Sequence, residues 1–275
     1  MTPSNPSPVL RFDRVSVRFG DTPALDSVSF EACEGETRVI MGATGSGKTV
    51  LLKTALGLQR PDSGAVEVFG EDITSMPEKK LFNIRSKIGM LFQESALFDS
   101  LNIEENVSYP LLNQSCIQCP TGEIRPRVEE ALKFVELEGT LEKFPSELSG
   151  GMRRRAAIAR AVVTAPPLVL YDSPTAGLDP ITAQTIVALI VKERDVNKTT
   201  TLIVTYRYQD GNLVANFRFD PEKGSLEPAG NHDGGPAPRT TFMVLREGRL
   251  VFEGSQSELE ASTDSYVAKF VKHRD

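Results

Sequence analysis

The stretch Gly42-Ala-Thr-Gly-Ser-Gly-Lys48-Thr49 carries the strongest structural signal in this sequence. It fits the pattern G-x-x-x-x-G-K-[ST], in which glycines let backbone N–H groups surround an anion and the lysine reaches phosphate oxygens. The pattern requires a strand before the loop and a helix after it. Thr37–Met41 is a compact apolar run that predicts the strand, and Val50–Leu58 has helical composition. This context favours a nucleotide-binding loop over a glycine turn followed by a surface lysine.

A second segment, Leu168-Val-Leu-Tyr-Asp172, predicts a buried strand that ends in a carboxylate. Alone, an acidic residue at a strand end is most often a turn former. Together with Gly42–Thr49 it predicts one site for ATP and Mg²⁺, because Asp172 can hold the metal from the far side. In that site Lys48 would reach the β- and γ-phosphates, and the Thr49 hydroxyl would bind Mg²⁺.

A third segment, Leu148-Ser-Gly-Gly-Met152, predicts the start of a helix. Ser149 suits the N-cap, and the two glycines expose backbone donors at the positive end of the helix dipole. Taken in isolation, a plain helix start is the favoured interpretation. The run Arg153–Arg155 that follows is interpreted as a solvated face rather than a nucleic-acid site.

Strand and helix patterns divide the chain into parts. Residues 9–92 and 165–275 carry strand signals alternating with helices, which implies a parallel sheet covered on both faces. Residues 93–164 between them predict a helical block. Residues 1–8 predict a flexible tail, and the Gly- and Pro-rich residues 207–240 predict a loop-rich insertion around one short strand.

Composition limits the classes of function. Of 275 residues, 40% are apolar and 25% charged, which is ordinary for a globular protein. The 31 Lys and Arg against 37 Asp and Glu give a net charge of −6, which does not favour binding of nucleic acid. No run approaches the roughly 18 apolar residues of a membrane span, and the N-terminus lacks the features of a signal peptide. We therefore expect a cytosolic protein that reaches a membrane only through a partner.

The cysteines do not predict a metal site. Cys116 and Cys119 form a lone C-x-x-C, whereas a structural zinc site needs two further ligands. The histidines, His232 and His273, lie far along the chain, and Cys33 stands alone. Reduced thiols in a loop are the favoured interpretation.

The order and spacing of five motifs resemble the ATP-binding cassette (ABC) family, and the resemblance covers nearly the whole chain. The matches are Gly42–Thr49 for the Walker A loop, Gln93 for the Q-loop, Leu148–Met152 for the signature, Leu168–Asp172 for Walker B and Ala176–Asp179 for the D-loop. The resemblance implies an α/β fold: a RecA-like P-loop NTPase core with an inserted helical subdomain and an N-terminal antiparallel β region.

The family also implies a set of ligands and a dimer. ATP is sandwiched between the Walker A loop of one protomer and the signature of the other, in a homodimer or a pair with a second ABC cassette. Phe19 falls where an aromatic residue often stacks on adenine. The resemblance assigns to the nucleotide Phe19, Gly42, Ala43, Thr44, Gly45, Ser46, Gly47, Lys48, Thr49, Val50, Ser149, Gly150, Gly151 and Asp179, and to Mg²⁺ Thr49, Gln93 and Asp172.

Four further segments resemble one branch of the family, the ATPase subunits of MCE-type (Mla-like) lipid transporters. They are Leu91–Phe98, Asn106–Pro110, Phe144–Arg155 and Leu178–Thr182. This similarity implies a peripheral position on the cytosolic face of the inner membrane, an integral permease and a periplasmic MCE-type lipid-binding subunit. The segment after Gln93 would receive the permease's coupling helix.

Two positions depart from the family pattern. Ser173 stands where the family places a catalytic Glu, and Tyr206 stands where it places the switch His. A serine hydroxyl cannot accept a proton from water as a carboxylate does, so general-base assistance worth about 10²–10⁴-fold is absent. Tyr206 can still donate a hydrogen bond to a γ-phosphate oxygen.

These departures leave three interpretations open. In the first, the protein is a slower ATPase that relies on positioning by Gln93 and Mg²⁺, or on Glu94 as a substitute base. In the second, it is a hydrolysis-poor regulatory cassette that only binds ATP. In the third, it is a soluble ABC protein acting on ribosomes or DNA. Such proteins usually carry two cassettes or a long coiled-coil arm, whereas this chain has one P-loop and no sustained heptads.

Overall fold

The computed structural model describes residues 8–114, 117, 119–229 and 239–272. Within these residues the strands are β1 (Pro8–Phe19), β2 (Thr22–Cys33), β3 (Thr37–Gly42), β4 (Ser63–Val68), β5 (Glu71–Asp72), β6 (Ile88–Leu91), β7 (Leu168–Asp172), β8 (Thr200–Thr205), β9 (Phe217–Asp220), β10 (Ser225–Pro228), β11 (Thr240–Arg246) and β12 (Arg249–Gly254). The helices are α1 (Lys48–Ala55), α2 (Glu78–Arg85), α3 (Ile103–Asn113), α4 (Thr121–Phe134), α5 (Gly150–Val162), α6 (Pro180–Asn197), α7 (Tyr208–Asn216), α8 (Gln256–Glu260) and α9 (Val267–Lys272).

A six-stranded sheet with the order β12-β11-β3-β8-β7-β6 forms the centre of the fold. Its strands β11, β3, β8, β7 and β6 run parallel, and β12 pairs antiparallel with β11. Every residue of β3, β7 and β8 is buried, because side chains pack on both faces of the sheet. The predicted parallel sheet is thus confirmed. Parallel strands end at the same edge, so the segments after β3, β8 and β7 are neighbours there.

The two faces of the sheet pack into different cores, because successive side chains along a strand point in opposite directions. Leu168 and Leu170 pack with α1 and with a second, antiparallel sheet of order β2-β1-β4-β5. Val169 and Tyr171 pack with α3, α4, α5 and α6. The expected N-terminal antiparallel region is present. Asp172 has the same parity as Leu168 and Leu170, so it shares their face, where α1 packs.

Helices α3, α4 and α5 follow one another between β6 and β7 and bury Val107, Val128 and Ile158 in one core. Helix α3 begins at a capping box, in which the Asn102 side chain accepts from the N–H of Glu105 at 2.8 Å. The boundaries of a helical subdomain at residues 93 and 164 stay a prediction.

The expectation of a loop-rich insertion at residues 207–240 was wrong for the part that is described. That part contains α7 and the hairpin β9–β10. Gly211 lies inside α7, where a Cβ would come within 2.7 Å of the Phe242 ring and 2.9 Å of Val39, so it marks close packing of helix on sheet. Arg194 of α6 donates to the carbonyl of Phe217 at 2.8 Å and so ties the hairpin to the core.

Some expectations fall outside the described residues. Cys116, His232 and His273 are among them, whereas Cys33 and Cys119 are half-buried free thiols. The described residues hold no group of three or more His, Cys, Asp or Glu side chains that could bind a metal. None of the helices described above combines the length and apolar character required to cross a bilayer.

Candidate nucleotide-binding site

The loop Gly42–Thr49 joins the central strand β3 to α1. Gly47 is the N-cap of α1 with φ of 102°, and a Cβ at this position would collide with the carbonyl of Ala24. A Cβ at Gly42 would lie 2.6 Å from the carbonyl of Leu245. Both contacts demand glycine. The first N–H groups of α1 have no partner within the helix, so loop and helix dipole together favour an anion at this end.

The Lys48 ammonium lies over this loop. It donates to the carbonyls of Gly42 and Ala43, each at 2.8 Å. Burial lowers the pKa of Lys48, and the negative charge of Asp172 acts in the opposite direction and raises it. Lys48 and Asp172, which are far apart in the sequence, therefore lie close enough for their charges to interact.

Asp172 ends β7 with only 2% of its surface exposed. The Ser173 hydroxyl donates to Asp172 Oδ1 at 3.1 Å. Ser173 has φ of 50°, in the left-handed region that side chains other than glycine rarely adopt. Its N–H donates to the carbonyl of Val204 at 2.8 Å, and its carbonyl accepts from Ala176 at 3.1 Å, which holds the strained turn in place.

Tyr206 and Gln93 lie at the same edge of the sheet. Tyr206 follows β8, the strand between β3 and β7, and 53% of it is exposed. Gln93 is an exposed residue of the loop after β6, the neighbour of β7. The sheet order thus brings the glycine loop, Asp172, Ser173, Tyr206 and the Gln93 loop to one edge.

The other predicted residues occupy the starts of two helices and a strand end. Ser149 caps α5 by accepting from the N–H of Met152 at 3.3 Å. Gly151 lies so close to Thr182 of α6 that a Cβ would be 2.6 Å from its methyl group. Hydrogen bonds, above all from the Thr182 side chain, lower the pKa of Asp179, which caps α6. Phe19 ends β1 and is 55% exposed.

Tyr266 is a contact of the loop that sequence reasoning missed. Its hydroxyl accepts from the Ala43 N–H and donates to the carbonyl of Leu245, both at 3.2 Å. Ala43 and Tyr266 are 223 positions apart, and no local pattern connects them.

Arg154 corrects the interpretation of Arg153–Arg155 as a solvated face. Arg154 is 6% exposed, and its guanidinium donates to the carbonyl of Phe92 at 3.1 Å, to that of Gln93, and to that of Ala176 at 3.4 Å. Burial lowers its pKa. It therefore connects α5 to the loops after β6 and β7. Helical spacing could have found it, because position 154 shares a face with the buried residues 157, 158 and 161.

A glycine loop between a central parallel strand and a helix, with a buried carboxylate two strands away, defines a P-loop nucleotide-binding protein. A family model described as ABC transporter matches residues 25–176. The intermembrane phospholipid transport system ATP-binding protein MlaF of Escherichia coli (strain K12) is 33% identical over 257 residues, which cover 94% of this chain and 86% of that protein.

The "Probable ribonucleotide transport ATP-binding protein mkl" of Mycobacterium leprae (strain TN) is 40% identical over 188 residues, or 68% of this chain. That match covers 54% of the mycobacterial protein, so the chain spans about half of its length. A solved dimeric ATP-binding cassette, in a post-hydrolysis state bound to ADP and Pi, matches with a TM-score of 0.74 at 29% identity. That match covers 90% of this chain and 98% of the solved one. The chain belongs to the ABC transporter family, and its fold is that of an ABC ATPase cassette.

Replacing Arg154 by Lys is expected to lower the free energy of unfolding by about 1–3 kcal/mol, because one ammonium cannot reach all three buried carbonyls in the guanidinium's geometry. Urea unfolding of the full chain measures this. Arg127→Lys on α4 is the matched control, because its guanidinium meets the exposed carboxylate of Glu123 at 2.9 Å, a contact that an ammonium can keep. The expected change is less than about 0.5 kcal/mol. Equal losses in the two variants would contradict the bridging role.

Proposed function

We propose that this chain is the ATP-binding subunit of an ABC transporter that couples ATP hydrolysis to the movement of phospholipid-like lipids through an inner-membrane permease. The observation that carries the proposal is the glycine loop with Lys48 beside the buried Asp172. The lipid class is supported by the MlaF relatives, which match across nearly the whole chain. The mycobacterial relative has a different substrate in its name, but its match covers only about half of that protein.

The residues at the sheet edge suit a nucleotide with Mg²⁺. We assign the phosphates to the backbone amides of Gly45–Val50 and to the Lys48 ammonium, and the adenine to Phe19. The hard oxygen donors of Thr49, Gln93 and Asp172 suit Mg²⁺ rather than a softer metal. When bound, Mg²⁺ would neutralise charge on the β- and γ-phosphate oxygens.

The chain's own residues then divide the work of hydrolysis. Lys48 exchanges its bonds to the Gly42 and Ala43 carbonyls for phosphate oxygens, and Tyr206 donates to the γ-phosphate. Gln93 orients the attacking water. Ser173 has no carboxylate to accept the proton, so hydrolysis relies on positioning and is slow.

A second cassette completes the site. Ser149, Gly150 and Gly151 lie at the start of α5, where backbone donors are free to meet the nucleotide of a partner. Asp179 lies close by as the cap of α6. The solved relative in a dimeric state with ADP and Pi supports this arrangement. The partner is a second copy of this chain or another ABC cassette.

An exposed aromatic cluster suits the permease. Phe98, Tyr109 and Leu112 are 41%, 40% and 61% exposed, and the rings of Phe98 and Tyr109 lie 4.7 Å apart. Beside them, Phe92 and Arg160 line a cleft of about 280 Å³. Apolar side chains grouped at a surface mark an interaction site, and Phe98 lies five positions after Gln93 in the sequence. We assign it to the permease's coupling helix and, on this assignment, the subunit to the cytoplasmic face of the inner membrane. A periplasmic MCE-type lipid-binding subunit would complete the transporter.

A regulatory cassette that binds ATP without hydrolysing it is the second candidate. The observation in its favour is the Ser173 hydroxyl, which is committed to Asp172 and offers no base. The two candidates differ in turnover and agree in nucleotide binding.

Steady-state ATP turnover by the full chain assembled with its permease tests the hydrolysis step. We expect turnover above that of Lys48→Ala, which removes the ammonium that meets the phosphates and serves as the blank. We also expect phospholipid vesicles that carry the permease to raise the rate of ATP turnover above that of the chain alone. If the wild type binds ATP but its turnover equals that of Lys48→Ala, the proposal of a hydrolysing transporter subunit is wrong and the regulatory cassette replaces it.

Introducing a carboxylate at position 173 is expected to raise kcat by about 10²–10⁴-fold, because it supplies the general base that the wild type lacks. The matched control is Ser173→Gln, which has nearly the same size and cannot accept the proton. Turnover of Ser173→Glu, Ser173→Gln and the wild type is compared at saturating ATP. A kcat for Ser173→Glu no higher than that for Ser173→Gln would show that this position is not where a base acts.

Truncating Phe98 to Ala is expected to weaken binding to the permease at least about tenfold while leaving ATP affinity unchanged, because it removes an exposed aromatic side chain that the permease would bury. Phe82→Ala is the control, since Phe82 is 56% exposed on α2, a different element. Binding is measured as the fraction retained on permease-containing vesicles. Equal retention of the two variants would move the permease surface elsewhere.

A further inference from the structure

Asp210 connects the loop after β7 to the end of β8. It lies on α7 and is 2% exposed. A single oxygen, Oδ2, accepts from the hydroxyls of Thr175 and Thr205, both at 2.6 Å. Thr175 belongs to the loop after β7, and Thr205 is the last residue of β8. One buried carboxylate oxygen therefore connects the ends of two neighbouring strands.

The two threonines stand next to the residues that depart from the family pattern. Thr205 immediately precedes Tyr206, and Thr175 is two positions after Ser173. The Thr205 hydroxyl oxygen also accepts from the N–H of Arg207 at 3.0 Å. The backbone is therefore held on both sides of Tyr206, although the tyrosine ring itself is largely exposed.

Burying the charge of Asp210 between these two segments costs free energy, because the carboxylate loses its hydration. Burial raises the pKa of Asp210, and the hydrogen bonds from Thr175 and Thr205 and the charge of Arg207 oppose this. Arg207 Nε lies 3.8 Å from Asp210 Oδ1. Apolar side chains of similar volume often stabilise an interior equally well, so a buried carboxylate suggests a need for defined geometry. The left-handed backbone of Ser173 shows that the loop after β7 is indeed held in an unfavourable conformation.

We propose that Asp210 is a positioning residue that fixes Ser173 and Tyr206 relative to each other, so that both loops meet the γ-phosphate end of the nucleotide in register. The inference rests on the proposed function, because it takes the edge beside Lys48 as the phosphate site. Asp210 itself does not touch the nucleotide. It acts through Thr175 on one loop and through Thr205 on the other.

The test compares affinities for Mg²⁺ with β,γ-imido-ATP and for Mg²⁺ with ADP, measured by calorimetry on the full chain. Thr175→Val and Thr205→Val each remove one hydroxyl at nearly constant volume. We expect ADP affinity to stay within about twofold and the preference for the triphosphate to fall about tenfold in each variant, which is the size of the lost hydrogen bond to Asp210. Thr205→Val also removes the acceptor of the Arg207 N–H, so Thr175→Val is the cleaner of the two variants. The double variant should lose no more of the triphosphate preference than either single variant, because Asp210 fixes the two segments relative to each other only when both hydrogen bonds are present.

Thr241→Val is the matched control. The Thr241 hydroxyl also donates to a buried carboxylate, Glu36 Oε1, at 2.8 Å, near the opposite end of the parallel strands. Its preference for the triphosphate should equal that of the wild type. Asp210→Asn should retain most of the preference, since the amide oxygen can accept both hydroxyls, whereas Asp210→Ala should lose it.

Several results would overturn the inference. The first is a preference for the triphosphate that equals that of the wild type in both threonine variants. The second is an equal loss of affinity for ADP and for the triphosphate. The third is a loss of triphosphate preference in the double variant that equals the sum of the two single losses. If the wild type shows no turnover but its triphosphate preference still depends on the two threonines, hydrolysis is removed from the proposed function. The positioning role of Asp210 is then kept. A wild type that binds neither nucleotide would remove both.

Discussion

The contact of the Lys48 ammonium with its own loop is the interaction on which the site depends. Its donors meet the carbonyls of Gly42 and Ala43, and the charge of Asp172 offsets part of the cost of burying it. This arrangement requires a loop that curls back on itself, a short helix aimed at the loop and a carboxylate on a nearby strand. The parallel order β3-β8-β7 meets all three requirements, because it places the carboxyl ends of the strands side by side.

Much of this could be predicted from the sequence, because the relevant signals are local. A glycine loop between an apolar run and a helical run, and an apolar strand that ends in Asp172, are short patterns that together predict a phosphate site. The periodicity of the strands and helices predicts the parallel sheet for the same reason. Ser149 was predicted as a helix cap from a few adjacent residues and does cap α5, whereas Asp179 was named only through the resemblance to the ABC family.

The residues that were missed act across long distances in the chain. Arg154 has the same residue type as its neighbours Arg153 and Arg155, and its position on the buried face of α5 distinguishes it. Asp210 looks like any surface acid until the fold brings Thr175 and Thr205 to it. Gly211 was taken as a loop signal because a close packing contact with Phe242 leaves no trace in the local pattern. Helical spacing could have marked Arg154 as buried, whereas the contacts of Asp210 and Gly211 cannot be derived from local spacing.

The position of β3 in the sheet also has a consequence for biosynthesis. Its two neighbours are β8 and β11, so it pairs with residues 201–205 on one side and residues 240–245 on the other. Chains emerge from the ribosome with the N-terminal part first. The glycine loop is therefore made early, yet its strand lacks one neighbour until about two hundred further residues have followed. Until then at least one edge of β3 is unpaired, and an unpaired strand edge favours aggregation. The phosphate site is consequently completed late in synthesis, when the strand farthest away in sequence takes its place beside β3.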